Sequence, residues 1–165
     1  RVLGAQAIGQ DGPAVDKRIS ALAMAIQMGA TVYDLEEAEL CYAPQFGSAK
    51  DAVNFAGMVA VNVLNGDMPI SHWDSADDGF LLDVREPMEL AVENVPGALN
   101  IPLGQLRERL GELPRDQDIH VICRSGGRAY YATRILLQNG FKAYTLSGGM
   151  LSLAHNNMLD VSQQE

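Results

Sequence analysis

One segment of the sequence combines a cysteine with residue types that bind anions. Cys123 follows the apolar stretch 119–122, which has the pattern of a buried strand, and a helical pattern begins at about Tyr130. Backbone N–H groups at a helix N-terminus attract anions and stabilise a negatively charged sulfur. Cys123 is therefore a candidate nucleophile, because an inert structural cysteine would leave the residues that follow it unexplained. Those residues are Arg124, Ser125, Gly126, Gly127 and Arg128.

The composition narrows the classes of function. The chain has 165 residues and a formal net charge of −9, which argues against nucleic-acid binding. A basic segment in an acidic chain suits a small anionic substrate better. The two cysteines, Cys41 and Cys123, form no CxxC motif and no Cys/His cluster, so we expect neither a disulfide framework nor a metal site. A reactive free thiol is typical of the cytoplasm.

The sequence also lacks the patterns of targeting segments. No apolar run approaches the length of a membrane span, and no signal peptide is recognisable. Because the chain starts at Arg1 within a strand-like pattern, we expect it to be a fragment of a longer protein.

Strand and helix patterns alternate in the second part of the chain, residues 67–165. This rhythm predicts an α/β fold in which a small parallel sheet carries helices on both faces. Ligands of such sheets bind at the carboxyl ends of the strands, which is where Cys123 falls. The expected strands are 80–84, 98–101, 119–123 and 141–146, and the expected helices are 86–92, 103–110, 127–139 and 150–155.

The first part, residues 1–66, predicts an α+β fragment without a sheet of its own. We expect a strand over residues 1–9, a helix to about Met28, and a short helix 35–40 capped by Asp34. Asp51 is expected to cap a helix over 52–64 that is apolar almost all round, and such a helix is buried or lies in a subunit interface. The polar break at residues 65–69 is the best domain boundary.

The second part resembles the rhodanese domain over nearly its whole length. The resemblance rests on Leu82-Asp83-Val84-Arg85-Glu86-Pro87, on residues 95–102, on the Cys123–Arg128 loop and on Leu146-Ser147-Gly148-Gly149. It implies that Cys123 attacks a sulfane sulfur, becomes a persulfide and passes the outer sulfur to a second thiol.

The same resemblance suggests roles for the loop residues. The amides of residues 124–128 would hold the persulfide, and Arg124 and Arg128 would bind thiosulfate or the phosphates of a CoA persulfide. Either arginine could instead be a solvated charge or part of a salt bridge. Ser125 could donate to the persulfide or cap the following helix. Asp83 and Arg85 are expected to form a structural pair, and the three histidines are expected to be structural.

The first part resembles the C-terminal dimerisation domain of FAD-dependent pyridine nucleotide–disulfide oxidoreductases. The matching segments are residues 1–6, 15–19 and 31–35, followed by Tyr42-Ala43-Pro44 and Ser48-Ala49-Lys50-Asp51 with Asn54. The branch it resembles contains CoA-disulfide reductases, NADH oxidases and NADH-dependent persulfide reductases. This resemblance implies a homodimer in which Tyr42 reaches the CoA site of the partner subunit. An ordinary interface tyrosine is the alternative, and Cys41 is expected to be a core or interface thiol.

Together these features predict rhodanese-type sulfur transfer within a larger flavoenzyme. FAD, NADH and CoA would serve the intact protein, although the fragment has no GxGxxG motif of its own. A cysteine phosphatase is disfavoured, because its loop has Cys-x5-Arg spacing whereas this loop has Cys-x4-Arg. The alternative from another class is a non-catalytic rhodanese module that binds persulfide carriers or supports dimerisation.

Overall fold

The computed structural model describes residues 1–9, 12–76 and 79–153. The chain divides into two compact units, and the division falls between Asn65 and Gly66. Within the described ranges, no helix is long and apolar enough to cross a membrane.

Three helices make up the regular structure described in the first unit: α1 (Gly12–Gln27), α2 (Val32–Glu37) and α3 (Ala52–Leu64). The strand expected over residues 1–9 does not form. Among the described residues, this segment makes one backbone hydrogen bond to the connection between α1 and α2, from Val2 N to the Ala30 oxygen at 2.8 Å. One such bond does not make a ladder, so the segment stays extended without becoming a strand.

The helix caps in this unit differ in part from expectation. Thr31, rather than Asp34, is the N-cap of α2, and Asp34 is the third helical residue of a capping box with Thr31. Asp51 caps α3 as predicted. The buried Asn54 ties α3 to the end of α2 by donating to the carbonyls of Leu35 at 3.1 Å and Ala38 at 2.9 Å.

Helix α3 is buried along one side only. Val53 and Val61 are buried, whereas 55% of Phe55 and 45% of Val59 are exposed to solvent. Cys41 is also exposed, so it is not a core residue of this unit.

The second unit contains the predicted parallel α/β fold. Its described strands pair in parallel in the order β1-β5-β4-β2-β3. They are β1 (Ile70–Ser71), β2 (Phe80–Asp83), β3 (Leu99–Asn100), β4 (Ile119–Ile122) and β5 (Ala143–Leu146). The helices are α4 (Pro87–Leu90) and α5 (Gly127–Gln138), and residues 149–153 are also helical.

The central strand β4 separates two apolar clusters. Side chains alternate between the faces of a strand, so Ile119 and Val121 join the larger cluster while Ile122 joins the smaller one. The helix predicted over 103–110 is wrong, since only the 3₁₀ turns Leu103–Gln105 and Leu110–Glu112 form there. Leu106 between them is still fully buried, so the apolar pattern identified a core residue but not its backbone conformation.

Candidate functional site

Cys123 lies immediately after the central strand, at the carboxyl end of the sheet. Only 1% of the residue is exposed. The backbone N–H of Gly126 donates to its Sγ at 3.1 Å, so the loop folds over the sulfur as an anion-holding turn does. This arrangement places the Cys123 sulfur and a backbone donor in direct contact.

The backbone of Gly126 makes that contact possible. Its φ of 108° lies in the left-handed region, which side chains with a Cβ disfavour. Gly126 is also the N-cap of α5, and no side chain caps this helix. Ser125 therefore does not act as the cap, whereas its predicted donation to a persulfide stays a prediction.

The segment that follows β5 donates backbone hydrogen bonds to the Cys123 loop. The N–H of Met150 donates to the Cys123 carbonyl at 3.0 Å, and the N–H of Leu151 donates to the Arg124 carbonyl at 3.1 Å. A Cβ on Gly149 would overlap the Cys123 carbonyl oxygen, so only glycine allows this approach. Trp73 Nε1 in turn donates to the Gly149 carbonyl at 3.0 Å. Sequence reasoning noted the Gly148-Gly149 pair but gave it no role.

The two loop arginines have different surroundings. Arg128 forms a bidentate ion pair with Glu89 of α4, with Nη1–Oε2 at 2.5 Å and Nη2–Oε1 at 2.7 Å. This hydrogen bonding lowers the pKa of Glu89 from 4.5 to about 2. Arg124 is exposed, and among the described residues its guanidinium has no ion-pair partner. Sequence reasoning missed Glu89, which lies 39 positions before Arg128.

Asp83 and Arg85 form the structural pair that the sequence predicts. Both are buried, and Arg85 Nη2 donates to Asp83 Oδ2 at 2.7 Å. The carboxylate hydrogen bond raises the pKa of Arg85. Asn100 completes the turn by donating to the carbonyls of both residues at 2.9 Å. The pair thereby fixes the chain between β2 and α4, beside the end of β4.

The described histidines lie apart from this loop. His120 is buried, and its Nδ1 is 2.9 Å from Ser71 Oγ. Burial lowers the pKa of His120. His72 is exposed, and His155 lies outside the described residues. Within the part of the chain that is described, no group of three His, Cys, Asp or Glu side chains could hold a metal ion.

Residues 69–156, slightly more than half of the chain, match the family model of the rhodanese-like domain. The chain belongs to the rhodanese-like family. A sulfurtransferase from Allochromatium vinosum is 32% identical over 99 residues, which cover 59% of this chain and 92% of that protein. The thiosulfate sulfurtransferase PspE of Escherichia coli is 33% identical over 75 residues, covering 44% of this chain and 72% of PspE.

Two solved structures are similar over both units of this rhodanese-family chain. Reduced CoADR-RHD from Bacillus anthracis is 44% identical, with a TM-score of 0.81, and the match covers 87% of this chain and 26% of that one. An NAD-dependent persulfide reductase from A. fulgidus is 39% identical, with a TM-score of 0.73, and the match covers 83% of this chain and 25% of that one. The chain thus spans about a quarter of each of these proteins.

The remaining predicted site residue, Tyr42, lies in the first unit. It is 53% exposed and lines a cavity of about 580 Å³ together with Cys41, Lys17 and Arg18. Arg18 is engaged by the cap residue Asp51, with Nη2–Oδ2 at 2.9 Å. The role of Tyr42 toward CoA or a partner subunit stays a prediction.

Proposed function

We propose that this chain transfers sulfane sulfur through a persulfide on Cys123, within a larger NADH- and FAD-dependent CoA-disulfide or persulfide reductase. The contact between Gly126 N and Cys123 Sγ, at 3.1 Å, carries the first half of this proposal. A backbone N–H that already points at the sulfur is suited to stabilising negative charge on it without rearrangement.

Two displacements at sulfur complete the reaction. The Cys123 thiolate attacks the outer sulfur of the donor and forms a new S–S bond with it. The bond between this sulfur and the rest of the donor breaks, and the rest of the donor leaves with the electron pair of that bond. With thiosulfate the leaving group is sulfite, and with a persulfide it is a thiolate. An acceptor thiolate then attacks the outer sulfur of the Cys123 persulfide, and Cys123 leaves as the thiolate.

The extent of the structural similarity supports the larger context. The second unit contains about three fifths of the 165 residues, whereas the match to CoADR-RHD covers 87% of the chain. The first unit therefore shares in that similarity. Its exposed Phe55 and Val59 agree with a dimerisation surface of the intact protein. In this proposal the first unit is part of a dimerisation domain, the intact enzyme is a homodimer, and the compartment is the cytoplasm.

The cofactors belong to the intact protein. FAD and NADH do not fit the residues of this chain. Its glycines lack the GxGxxG spacing of a dinucleotide site, and the described part of the first unit has no strand that such a glycine motif could follow. CoA fits better, since the Tyr42 phenol and the Lys17 ammonium line one cavity and could contact its polar groups. CoA would supply a thiol that accepts or carries sulfur.

Mass spectrometry of the thiosulfate-treated chain tests the proposal. We expect an adduct of about 32 Da, the mass of one sulfur atom, that is lost in Cys123→Ser and discharged by a thiol. Cys41→Ser is the matched control, because it removes the other free cysteine, which is exposed, and should leave the adduct intact.

Absence of the adduct from a folded wild-type chain would refute sulfur transfer and favour a binding module. Sequencing the complete gene tests the second half separately. A dinucleotide motif and a redox-active cysteine upstream of Arg1 are expected, and a complete gene product without them would refute the reductase context.

A further inference from the structure

Glu89 forms an ion pair with Arg128, the residue for which the family resemblance implies donor binding and for which a salt bridge is the alternative. Its two carboxylate oxygens meet the two terminal nitrogens of Arg128 at 2.5 and 2.7 Å. Paired carboxylate–guanidinium hydrogen bonds of this kind fix orientation as well as charge. Arg128 is therefore committed to α4 rather than directed freely toward a donor.

The Glu89 carboxylate also accepts a hydrogen bond within its own helix, in addition to those from Arg128. The backbone N–H of Glu86 donates to Glu89 Oε2 at 3.1 Å, as part of the capping box that starts α4. Pro87 at the first position of this helix further restricts the backbone. The ion pair thus joins two anchored elements, the start of α4 and the start of α5.

Two of the three described arginines in and beside the Cys123 loop are consequently paired with carboxylates. Arg85 is neutralised by Asp83, and Arg128 is neutralised by Glu89. In the described part of the unit, Arg124 is the loop guanidinium that keeps an uncompensated charge. The loop therefore offers a donor about one unit of uncompensated positive charge instead of two, which reduces the additional attraction that a doubly charged donor has over a singly charged one.

We propose that Glu89 is a positioning residue that sets donor specificity through Arg128, by lowering the preference of the loop for donors with two negative charges over donors with one. This inference rests on the proposed sulfur transfer at Cys123. It differs from a purely structural role, because the charge of Glu89 rather than its shape determines which donor binds better.

Two donors that share the same reacting sulfur provide the test. Thiosulfate carries two negative charges and the methanethiosulfonate anion carries one. We would measure KM and kcat for both with cyanide as a common acceptor, in the full chain and in Glu89→Gln. Two unit charges about 4 Å apart in water interact by an amount equivalent to about five-fold in binding. We therefore expect the KM of thiosulfate to fall by about five-fold more than that of methanethiosulfonate, with little change in kcat.

Two further variants separate charge from structure. Glu112→Gln is the matched control, because Glu112 forms the same type of bidentate pair with Arg109, at 2.6 and 2.7 Å. It should leave both KM values unchanged. Glu89→Asp keeps the charge and should keep the wild-type ratio of the two KM values.

An unchanged ratio in folded Glu89→Gln, or a higher KM for thiosulfate, would overturn the proposal. The wild-type chain supplies an independent measurement. A loop with one uncompensated guanidinium instead of two predicts that the ratio changes by less than about two-fold between low and physiological salt, and a strong rise of the ratio of the thiosulfate KM to the methanethiosulfonate KM with salt would also overturn the proposal. Failure of the proposed function is distinct, because a wild-type chain without sulfur transfer would turn over neither donor.

Discussion

Replacing Gly149 by alanine should displace the backbone of the Cys123 loop and slow its reaction with sulfur donors. A Cβ at this position would overlap the Cys123 carbonyl oxygen and lie 3.0 Å from both the carbonyl carbon and the oxygen of Arg124. Gly149 also has a φ of 54°, which alanine adopts only at a cost of about 1–2 kcal/mol. The loop must move away by about 0.8 Å to bring the contact between this Cβ and the Cys123 carbonyl oxygen from 2.2 Å to 3.0 Å, at the expense of the hydrogen bond from Met150 N to the Cys123 carbonyl.

These terms give a magnitude for Gly149→Ala. Strain of about 1–2 kcal/mol and about 1 kcal/mol for the weakened hydrogen bond add up to a loss of about 2–3 kcal/mol in the free energy of unfolding. Displacement of a reacting atom by about 1 Å can lower a rate by about 100-fold, so we expect persulfide formation at Cys123 to slow by about 10- to 100-fold. Urea unfolding measures the first quantity, and time-resolved mass spectrometry of thiosulfate loading measures the second.

Gly97→Ala is the matched control for this prediction. Gly97 has a φ of 82°, but a Cβ there would meet no atom within 4 Å. It should therefore lose only the strain of about 1–2 kcal/mol and should load sulfur at the wild-type rate. If Gly149→Ala behaves like Gly97→Ala in both measurements, the contact between residue 149 and the loop does not position Cys123.

Three other changes test individual contacts. The pKa of Glu89 is lowered to about 2, so its pair with Arg128 should stabilise the fold fully above pH 4.5 and progressively less as the pH falls toward 2. Urea unfolding should therefore show that the difference in the free energy of unfolding between wild type and Glu89→Gln becomes smaller as the pH falls across this range. Ser71→Ala leaves buried His120 Nδ1 without its partner at 2.9 Å, so the free energy of unfolding should fall by about 1–3 kcal/mol while thiosulfate loading is unchanged. Asn54→Ala removes donors to two helix-end carbonyls and should lower the melting temperature of the first unit, measured by circular dichroism, without altering sulfur loading.

Local patterns were sufficient to predict the strand, the loop and the helix that carry Cys123. A run of apolar β-branched residues, a cysteine and a glycine-containing turn before a helix are all adjacent in sequence, and β4, the Cys123 loop and α5 form accordingly. The parallel fold was equally predictable, because the alternation of strand and helix leaves few other arrangements.

The contacts that support the site were not predictable, because they join distant parts of the chain. Glu89 and Arg128 are 39 positions apart, and Trp73 and Gly149 are 76 positions apart. No short-range pattern specifies such pairs; they arise when the sheet brings the segments together. The strand predicted over residues 1–9 is wrong for a related reason. Its local pattern suits a strand, but no neighbouring strand is described with which it could pair.

The contact between Trp73 and Gly149 also has an optical consequence. The sequence contains one tryptophan, Trp73, and its indole N–H donates to the Gly149 carbonyl. The N–H of the next residue, Met150, donates to the Cys123 carbonyl. Indole emission responds to the polarity and quenching groups around the ring. We therefore expect fluorescence excited selectively at tryptophan to change when sulfur is loaded onto Cys123 and removed from it, so that transfer could be followed without attaching a dye.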